Sequence, residues 1–248
     1  MFDVLMARWK QGHHTMRYPD GPPPDLPARF AGRPTLDPTK CPAACGRCAA
    51  VCPTGAVEVA SDGRVAQLDT GRCLFCRACE TACPAGGIAF SRDYQLAASA
   101  RDDLVVRDGL RQAAVALAEE SRRLFGRSFK LRQVSAGGCN ACEADTSVLQ
   151  TLAWDLGRFG IQFVASPRHA DGLLITGPVP ENMRLALEKT YAAVPSPKLV
   201  IAVGACAISG GPYAGHSEVH NGAETTVPVD LFIPGCPPHP LAILHGLL

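Results

Sequence analysis

The feature that most limits what this chain can fold into is the spacing of its cysteines. "CLFCRACETACP", residues 73–84, has the form C-x2-C-x2-C-x3-C-P; "CPAACGRCAAVCP", residues 41–53, has the form C-x3-C-x2-C-x3-C-P. The two runs form an internal repeat. Three closely spaced thiolates can wrap three corners of an iron–sulfur cubane, while a fourth, set off by the x3 gap, points to the neighbouring cluster. The spacing therefore predicts Cys41, Cys45, Cys48 and Cys83 around one 4Fe–4S cluster. A second cluster takes Cys73, Cys76, Cys79 and Cys52. Pro53 and Pro84 turn the chain out of helix after the crossing cysteines. A unit of roughly 50 residues buries little core, so two clusters would act as its staples. Zinc is the competing reading, but zinc sites use pairs of pairs rather than triplets closed by C-P. The extra residue between Cys41 and Cys45 leaves the conformation of that loop open.

The chain has 12 cysteines in 248 residues, and the N-terminal "MFDVLMARWKQGHH" shows no apolar signal region. A cytoplasmic setting is expected, where clustered cysteines bind metal rather than pair as disulfides. A net charge of +1 implies no nucleic-acid partner. The longest apolar run, "LVIAVGACAI" at 199–208, is too short to span a bilayer.

Four cysteines lie outside the repeat: Cys139 and Cys142 in "GGCNACEAD", Cys206 and Cys236. Four is what one more cubane needs. "FKLRQVS", "IQFVAS", "DGLLITG", "KLVIAVG" and "VDLFIPG" read as strands. "EADTSVLQTLAWDLGRFG" and "ENMRLALEKTYAAV" read as helices, so the C-terminal part is an α/β unit with a parallel, doubly wound sheet. Sites in such sheets form at the carboxyl ends of strands, where Cys139, Cys206 and Cys236 are expected. Gly137, Gly138, Gly204 and Gly235 would let backbone approach sulfur. A redox dithiol at Cys139 and Cys142 is the alternative, and it leaves Cys206 and Cys236 without a role. "GACAISGG" lacks the Lys-Ser/Thr ending of a phosphate loop. No paired carboxylates and no nucleophile–base set appear, so no catalytic residue is assigned.

"GGCNACE", "RFGIQFVASPRHADGLLITGPV", "GACAISGG" and "VPVDLFIPGCPP" together resemble the small subunit of membrane-bound, energy-converting NiFe hydrogenases of the formate hydrogenlyase type. The terminal-cluster subunit of complex I is similar in "IPGCPP" but has adjacent cysteines where this chain has Cys139-x2-Cys142. The N-terminal part, with "MFDVLMARWKQGHHTMRYP", the Pro-rich "GPPPDLPARFAGRPTLDP", the cysteine runs and "FSRDYQLAASARDDL", resembles the two-cluster ferredoxin-like subunit of the same complexes. The resemblance implies a fusion of two subunits that are usually separate. It implies a 2×4Fe–4S ferredoxin domain of α+β type and a flavodoxin-like α/β domain. The boundaries expected are 1–40 for an amphipathic helix and Pro-rich arm, 41–92 for the ferredoxin domain, 93–127 for a helical linker and 128–248 for the hydrogenase-type domain.

By the same resemblance, Cys139, Cys142, Cys206 and Cys236 hold the proximal cluster, which faces a NiFe centre in a separate large subunit. Three 4Fe–4S clusters use every cysteine, so the chain is an electron-transfer subunit. Its implied partners are that large subunit, membrane-arm subunits, and a donor such as a dehydrogenase or ferredoxin. The implied location is the cytoplasmic face of the inner membrane, peripherally bound. The same wire in a nickel-free, quinone-reducing complex and a free-standing electron carrier are the competing functions.

Glu143 is a candidate proton-handling acid; the alternative is a carboxylate favoured by a helix N-terminus. His169 is a candidate neighbour of the third cluster or of a partner, against a packing role; the other histidines are assigned nothing. Phe2, Leu5, Met6 and Trp9 would line one face of a short helix, either as a foot on the membrane arm or as packing on the chain's own core.

Overall fold

A computed structural model describes residues 2–107 and 128–248. The cysteine runs sit in a unit of short antiparallel strands. β1 (Pro34–Leu36) pairs with β4 (Ile88–Phe90), and β2 (Val57–Val59), β3 (Val65–Asp69) and β5 (Val105–Arg107) form a three-stranded sheet in the order β2-β3-β5. Each run ends in a single helical turn, Arg47–Ala50 or Ala78–Thr81. Leu68, Ala56 and Ile88 are buried here together with Cys48, Cys73 and Cys79, so cysteines make up part of this core.

Both sequence boundaries of this unit fall inside its sheets. The arm read as ending at residue 40 contributes β1, and the segment read as a helical linker contributes β5. Val105 and Val106 are β-branched and take up the free edge of β3. Strands of three residues are too short to show alternation. Residues 108–127, the rest of the expected linker, lie outside the described residues.

The C-terminal part is a five-stranded parallel sheet in the order β10-β9-β8-β6-β7: β6 Phe129–Ser135, β7 Ile161–Phe163, β8 Gly172–Thr176, β9 Leu199–Val203 and β10 Leu231–Ile233. All its pairings are parallel. The central strands are apolar on both faces, β8 being buried throughout as "GLLIT". Leu131, Leu174, Ile201 and Ile233 pack on one side with the C-terminal helix Pro240–Leu247. Leu173, Ile175 and Val200 pack on the other with Leu187 of helix Glu181–Ala193. The register levels the strand ends. Ser135 pairs with Thr176, Thr176 with Val203, and Val203 with Ile233.

The helix expected over 143–160 is shorter, running Ala141–Val148. The chain then folds back, the Leu156 N–H donating to the Leu149 carbonyl at 2.9 Å, so that both leucines are buried. A straight helix would keep them on one face but about 10 Å apart along its axis, so the fold-back brings them together.

The two parts are sewn together. Ala98 and Phe232 exchange backbone hydrogen bonds of 3.0 and 2.8 Å, and Ser209 Oγ donates to the Gly71 carbonyl at 3.0 Å. Phe232 is buried among Ala98, Leu104 and Ile208, which come from both parts.

His245, on the last helix, is half-buried against the edge of the Tyr94 ring, and its Nδ1 has no hydrogen-bond partner among the described residues. Burial holds its pKa below the ordinary value, partly offset by Asp93. The folded chain thus keeps His245 neutral where the unfolded chain would protonate it. Stability is full above the ordinary histidine value and falls as pH drops through it. Denaturation at pH 7.5 and 5.5 should show a larger loss for the wild type than for His245→Phe. Equal losses would remove this residue from the pH dependence.

Candidate metal centres

The level strand ends place the third cysteine set. β6 runs into Gly137–Cys139 and the helix carrying Cys142, β9 into Gly204 and the short helix carrying Cys206, and β10 into Gly235–Cys236. The loops are tied to one another: the Gly204 N–H donates to the Ile233 carbonyl and the Ala205 N–H to the Gly235 carbonyl, both at 2.8 Å. Cys139, Cys142, Cys206 and Cys236 therefore line one small cavity, closed by Ala141, Ala205 and Pro237. Gly204, at φ 90°, is in the left-handed region, and a Cβ there would lie 2.6 Å from Cys142 Sγ.

Cysteines of the two N-terminal runs come together across the runs. Cys41, Cys45, Cys48 and Cys83 line one cavity. Cys73, buried like Cys79 in the other run, interacts with Cys79, Cys52 and Cys76. None of the 12 cysteines is in a disulfide.

Electrostatics shows what these sets need. Burial, then the sulfurs of Cys236 and Cys139 and the Glu143 carboxylate, push the Cys206 thiol up to about 11. Burial pushes Cys142 further still, with Cys206 and Glu143 adding to it. Burial likewise takes Cys73 to about 12 and Cys79 to about 11. Four such thiols can all become thiolates only around strong positive charge, which bound iron supplies. A single zinc ion would draw four sulfurs to about 2.3 Å from one point. Among the described residues no three Cys, His, Asp or Glu side chains are placed to hold one ion. Sulfurs spread around a cavity suit a polynuclear cluster. Backbone donors fit too: the Ala56 N–H meets Cys52 Sγ, the Phe75 N–H meets Cys73 Sγ and the Gly87 N–H meets Cys83 Sγ, each at 3.2 Å.

The second and third sets adjoin. Cys236 is pushed up by burial, then by the sulfurs of Cys139 and Cys76. One larger cavity is walled by Leu74 and Phe75 from the second run and by Cys236 and His239 from the third site. Cys76, Cys139 and Cys236 are exposed.

Glu143 is buried. Its Oε1 accepts hydrogen bonds from Ser135 Oγ and Thr176 Oγ1, both at 2.6 Å. These hydroxyls stand at the ends of β6 and β8, so the carboxylate locks the cysteine helix onto the sheet. Glu143→Ala would remove the short-bond acceptor of both hydroxyls, leaving buried Thr176 with only the Val134 carbonyl at 3.5 Å, and should cost about 1–3 kcal/mol, read by denaturation. Glu143→Gln keeps an acceptor oxygen and should cost far less.

Other expectations fare differently. Of the four glycines singled out, only Gly204 faces a sulfur; Gly137 abuts Pro180, Gly138 abuts Gly177 and Gly235 abuts Pro238. Their crowding comes from loop closure, which spacing does not reveal. Gly211, which the spacing does not single out, takes the sulfur-facing role beside Cys206, a Cβ there falling 2.9 Å from its Sγ. His169 lies in the turn Pro167–His169 before the central strand β8, at the amino end of the sheet and opposite the cysteine end. His239, assigned nothing from the sequence, lines the larger cavity, its Nδ1 accepting from the Leu241 N–H at 3.1 Å. His-Pro ahead of "LAILHGLL" was a readable helix start.

Comparison with known proteins agrees with this division. Residues 139–248 match the family described as NADH ubiquinone oxidoreductase, 20 Kd subunit, and residues 40–87 match the 4Fe-4S dicluster domain. The chain is 41% identical to the "Probable membrane-bound hydrogenase subunit mbhJ" of Pyrococcus furiosus, over 51% of this chain and 75% of that one. It is 45% identical to formate hydrogenlyase subunit 7 of Escherichia coli, over 48% of this chain and 47% of the relative. Identity to an NADH-quinone oxidoreductase subunit of Clostridium beijerinckii is also 45%, over 45% of this chain and 66% of the relative. Through its parallel sheet and the cysteines at the strand ends, the chain belongs to the family of the NADH ubiquinone oxidoreductase 20 kDa subunit, and carries a 4Fe–4S dicluster domain ahead of it.

Proposed function

We propose that the chain is the electron-transfer subunit of a membrane-bound NiFe hydrogenase of the formate hydrogenlyase type, uniting two subunits that are usually separate. The observation that carries the reading is the row of three cysteine sets, with Cys76 of the second beside Cys236 of the third. Bound there, 4Fe–4S cubanes each accept and release one electron, so three in a row carry current between a donor and a partner subunit. Cys41, Cys45, Cys48 and Cys83 hold the first, Cys73, Cys76, Cys79 and Cys52 the second, and Cys139, Cys142, Cys206 and Cys236 the third. The surface around Cys139 is where a nickel-bearing large subunit docks. The strand order, 2-1-3-4-5 when numbered within the sheet, supports a flavodoxin-like unit from about residue 128 onward.

The helix Phe2–Gln11 buries no residue, and Phe2, Val4, Leu5 and Trp9 are exposed. Its apolar face is therefore free to rest on membrane-arm subunits at the cytoplasmic side. Among the described residues no helix is long and apolar enough to cross a membrane; the proposed attachment is peripheral, through this helix. Glu143 positions the third set; a proton-handling role falls if Glu143→Gln keeps its clusters and full turnover.

Equal identity to the quinone-linked relative supports a second reading, in which the partner lacks nickel. The Cys139-x2-Cys142 spacing favours the first. Anaerobic capture of the complex through this chain, followed by metal analysis, separates them. Iron at about three cubanes' worth with about one nickel per complex is the expected result. Iron without nickel in an intact complex favours the quinone-linked reading, and zinc in place of iron defeats both.

A further inference from the structure

The extra residue between Cys41 and Cys45 has a definite place in the fold. The two runs match in backbone conformation from their second cysteine onward. Ala44 and Phe75, just before it, have φ 57° and 53°; Gly46 and Arg77, just after it, have φ 56° and 62°. Ala43 then corresponds to Leu74, and the residue with no counterpart is Pro42.

The consequence is a difference in hydrogen bonding. In the second run the Phe75 N–H donates to Cys73 Sγ. In the first run the equivalent N–H, that of Ala44, donates instead to the Asp62 carbonyl at 2.7 Å, in the turn between β2 and β3. The Gly46 N–H follows it to the Gly63 carbonyl at 3.0 Å. Pro42 provides the length to reach that turn and has no N–H of its own. The seat is tight: Gly63 has φ 77°, and a Cβ there would lie 2.5 Å from Ala44 Cα. Among the described residues no N–H donates to Cys41 Sγ, which meets only the Asp37 carbonyl, at 4.0 Å. The crossing cysteines differ in the same direction: Cys83 accepts the Gly87 N–H at 3.2 Å, whereas Cys52 accepts the Ala56 N–H at 3.2 Å and also faces the Thr54 and Val57 N–H groups.

An N–H aimed at a cysteine sulfur stabilises the negative charge that reduction adds, so the set with fewer donors is harder to reduce. Burial does not decide the matter. The second set has buried Cys73 and Cys79 but exposed Cys76, and the first has buried Cys48 among half-buried partners. Nearby charges do not separate the sets: Lys40 pairs with Asp37 and Arg77 with Glu80, and each set has one arginine without an ion pair among the described residues, Arg47 in the first cavity and Arg72 next to Cys73.

We propose that Pro42, by drawing the Ala44 N–H away from Cys41, gives the dicluster unit a built-in direction: the Cys41, Cys45, Cys48, Cys83 set has the lower reduction potential. One electron arriving there passes to the Cys73, Cys76, Cys79, Cys52 set, oxidising the first and reducing the second, with no bond made and no proton moved. The downhill end is the set that adjoins Cys236. This rests on the cluster assignments proposed above.

The test is a potentiometric titration of the whole cluster-loaded chain, followed by electron paramagnetic resonance. The two dicluster signals should differ by about tenfold in reduction equilibrium, about 59 mV for a one-electron couple. Deleting Pro42 equalises the spacings and should raise only the lower potential. Inserting a proline between Cys73 and Leu74 should lower only the higher one. A deletion variant that fails to load one cluster remains informative: loss of the lower-potential signal supports the proposal, and loss of the higher one overturns it. Movement of the wrong signal, or of neither, also overturns it. A wild-type chain with too little iron for these two cubanes would instead defeat the cluster assignments.

Discussion

Cys206→Ala is expected to remove about one third of the iron, one cubane's worth out of three, while the two dicluster signals persist. The substitution separates metal loss from unfolding. Cys206 sits in the short helix Ala205–Ser209 among buried Ala205, Ala207 and Ile208. That helix is held by the Ala205 N–H bond to Gly235, which does not involve the sulfur. Replacing Sγ by hydrogen leaves the backbone and apolar contacts in place. It also lifts part of the burden on Cys142, whose thiol is pushed up by burial and next by Cys206. Iron content and spectra of the purified chain read the result. Unchanged iron would show that Cys206 is no ligand. Loss of all iron would show that the three sets do not load independently.

Phe232→Ala is expected to cost about 3–5 kcal/mol, the usual range for removing a fully buried aromatic side chain. Phe232 is 1% exposed and lies on β10 where the two parts of the chain meet. Its loss should loosen the junction before it melts either part. The readout is amide exchange at Ala98, whose N–H is bonded to the Phe232 carbonyl. Leu187→Ala, a cavity in the opposite face of the sheet, should destabilise by about 2–5 kcal/mol and leave Ala98 protected. If both variants deprotect Ala98 equally, the junction is not a separate cooperative unit.

The legibility of the sequence tracks the kind of force at work. The five parallel strands were readable because each is an apolar run bounded by loop residues, and β8 is buried along its whole length. The cysteine sets were readable because cluster geometry restricts spacing more tightly than packing restricts composition. β1 and β5 were not, since three residues carry no pattern and their partners are remote in sequence. The early end of the helix at Val148 depends on the chain folding back from Leu149 to Leu156, a return hidden by a pattern that also fits a continuous helix. Gly211 and His239 act through neighbours brought close only by folding. The placement of Pro42 became visible only when the backbones of the two runs could be compared.

The Ala98–Phe232 exchange and the Ser209–Gly71 bond join parts that one covalent chain already links. Two separate subunits would meet at a rate set by their abundance and would part on dilution. Here each partner sees the other at a fixed effective concentration. The nearness of Cys76 to Cys236 is therefore insensitive to how much protein the cell makes, and the stoichiometry of the two parts is one to one from the moment of synthesis. Unequal expression, which would strand half of a two-subunit wire, has no counterpart in this chain.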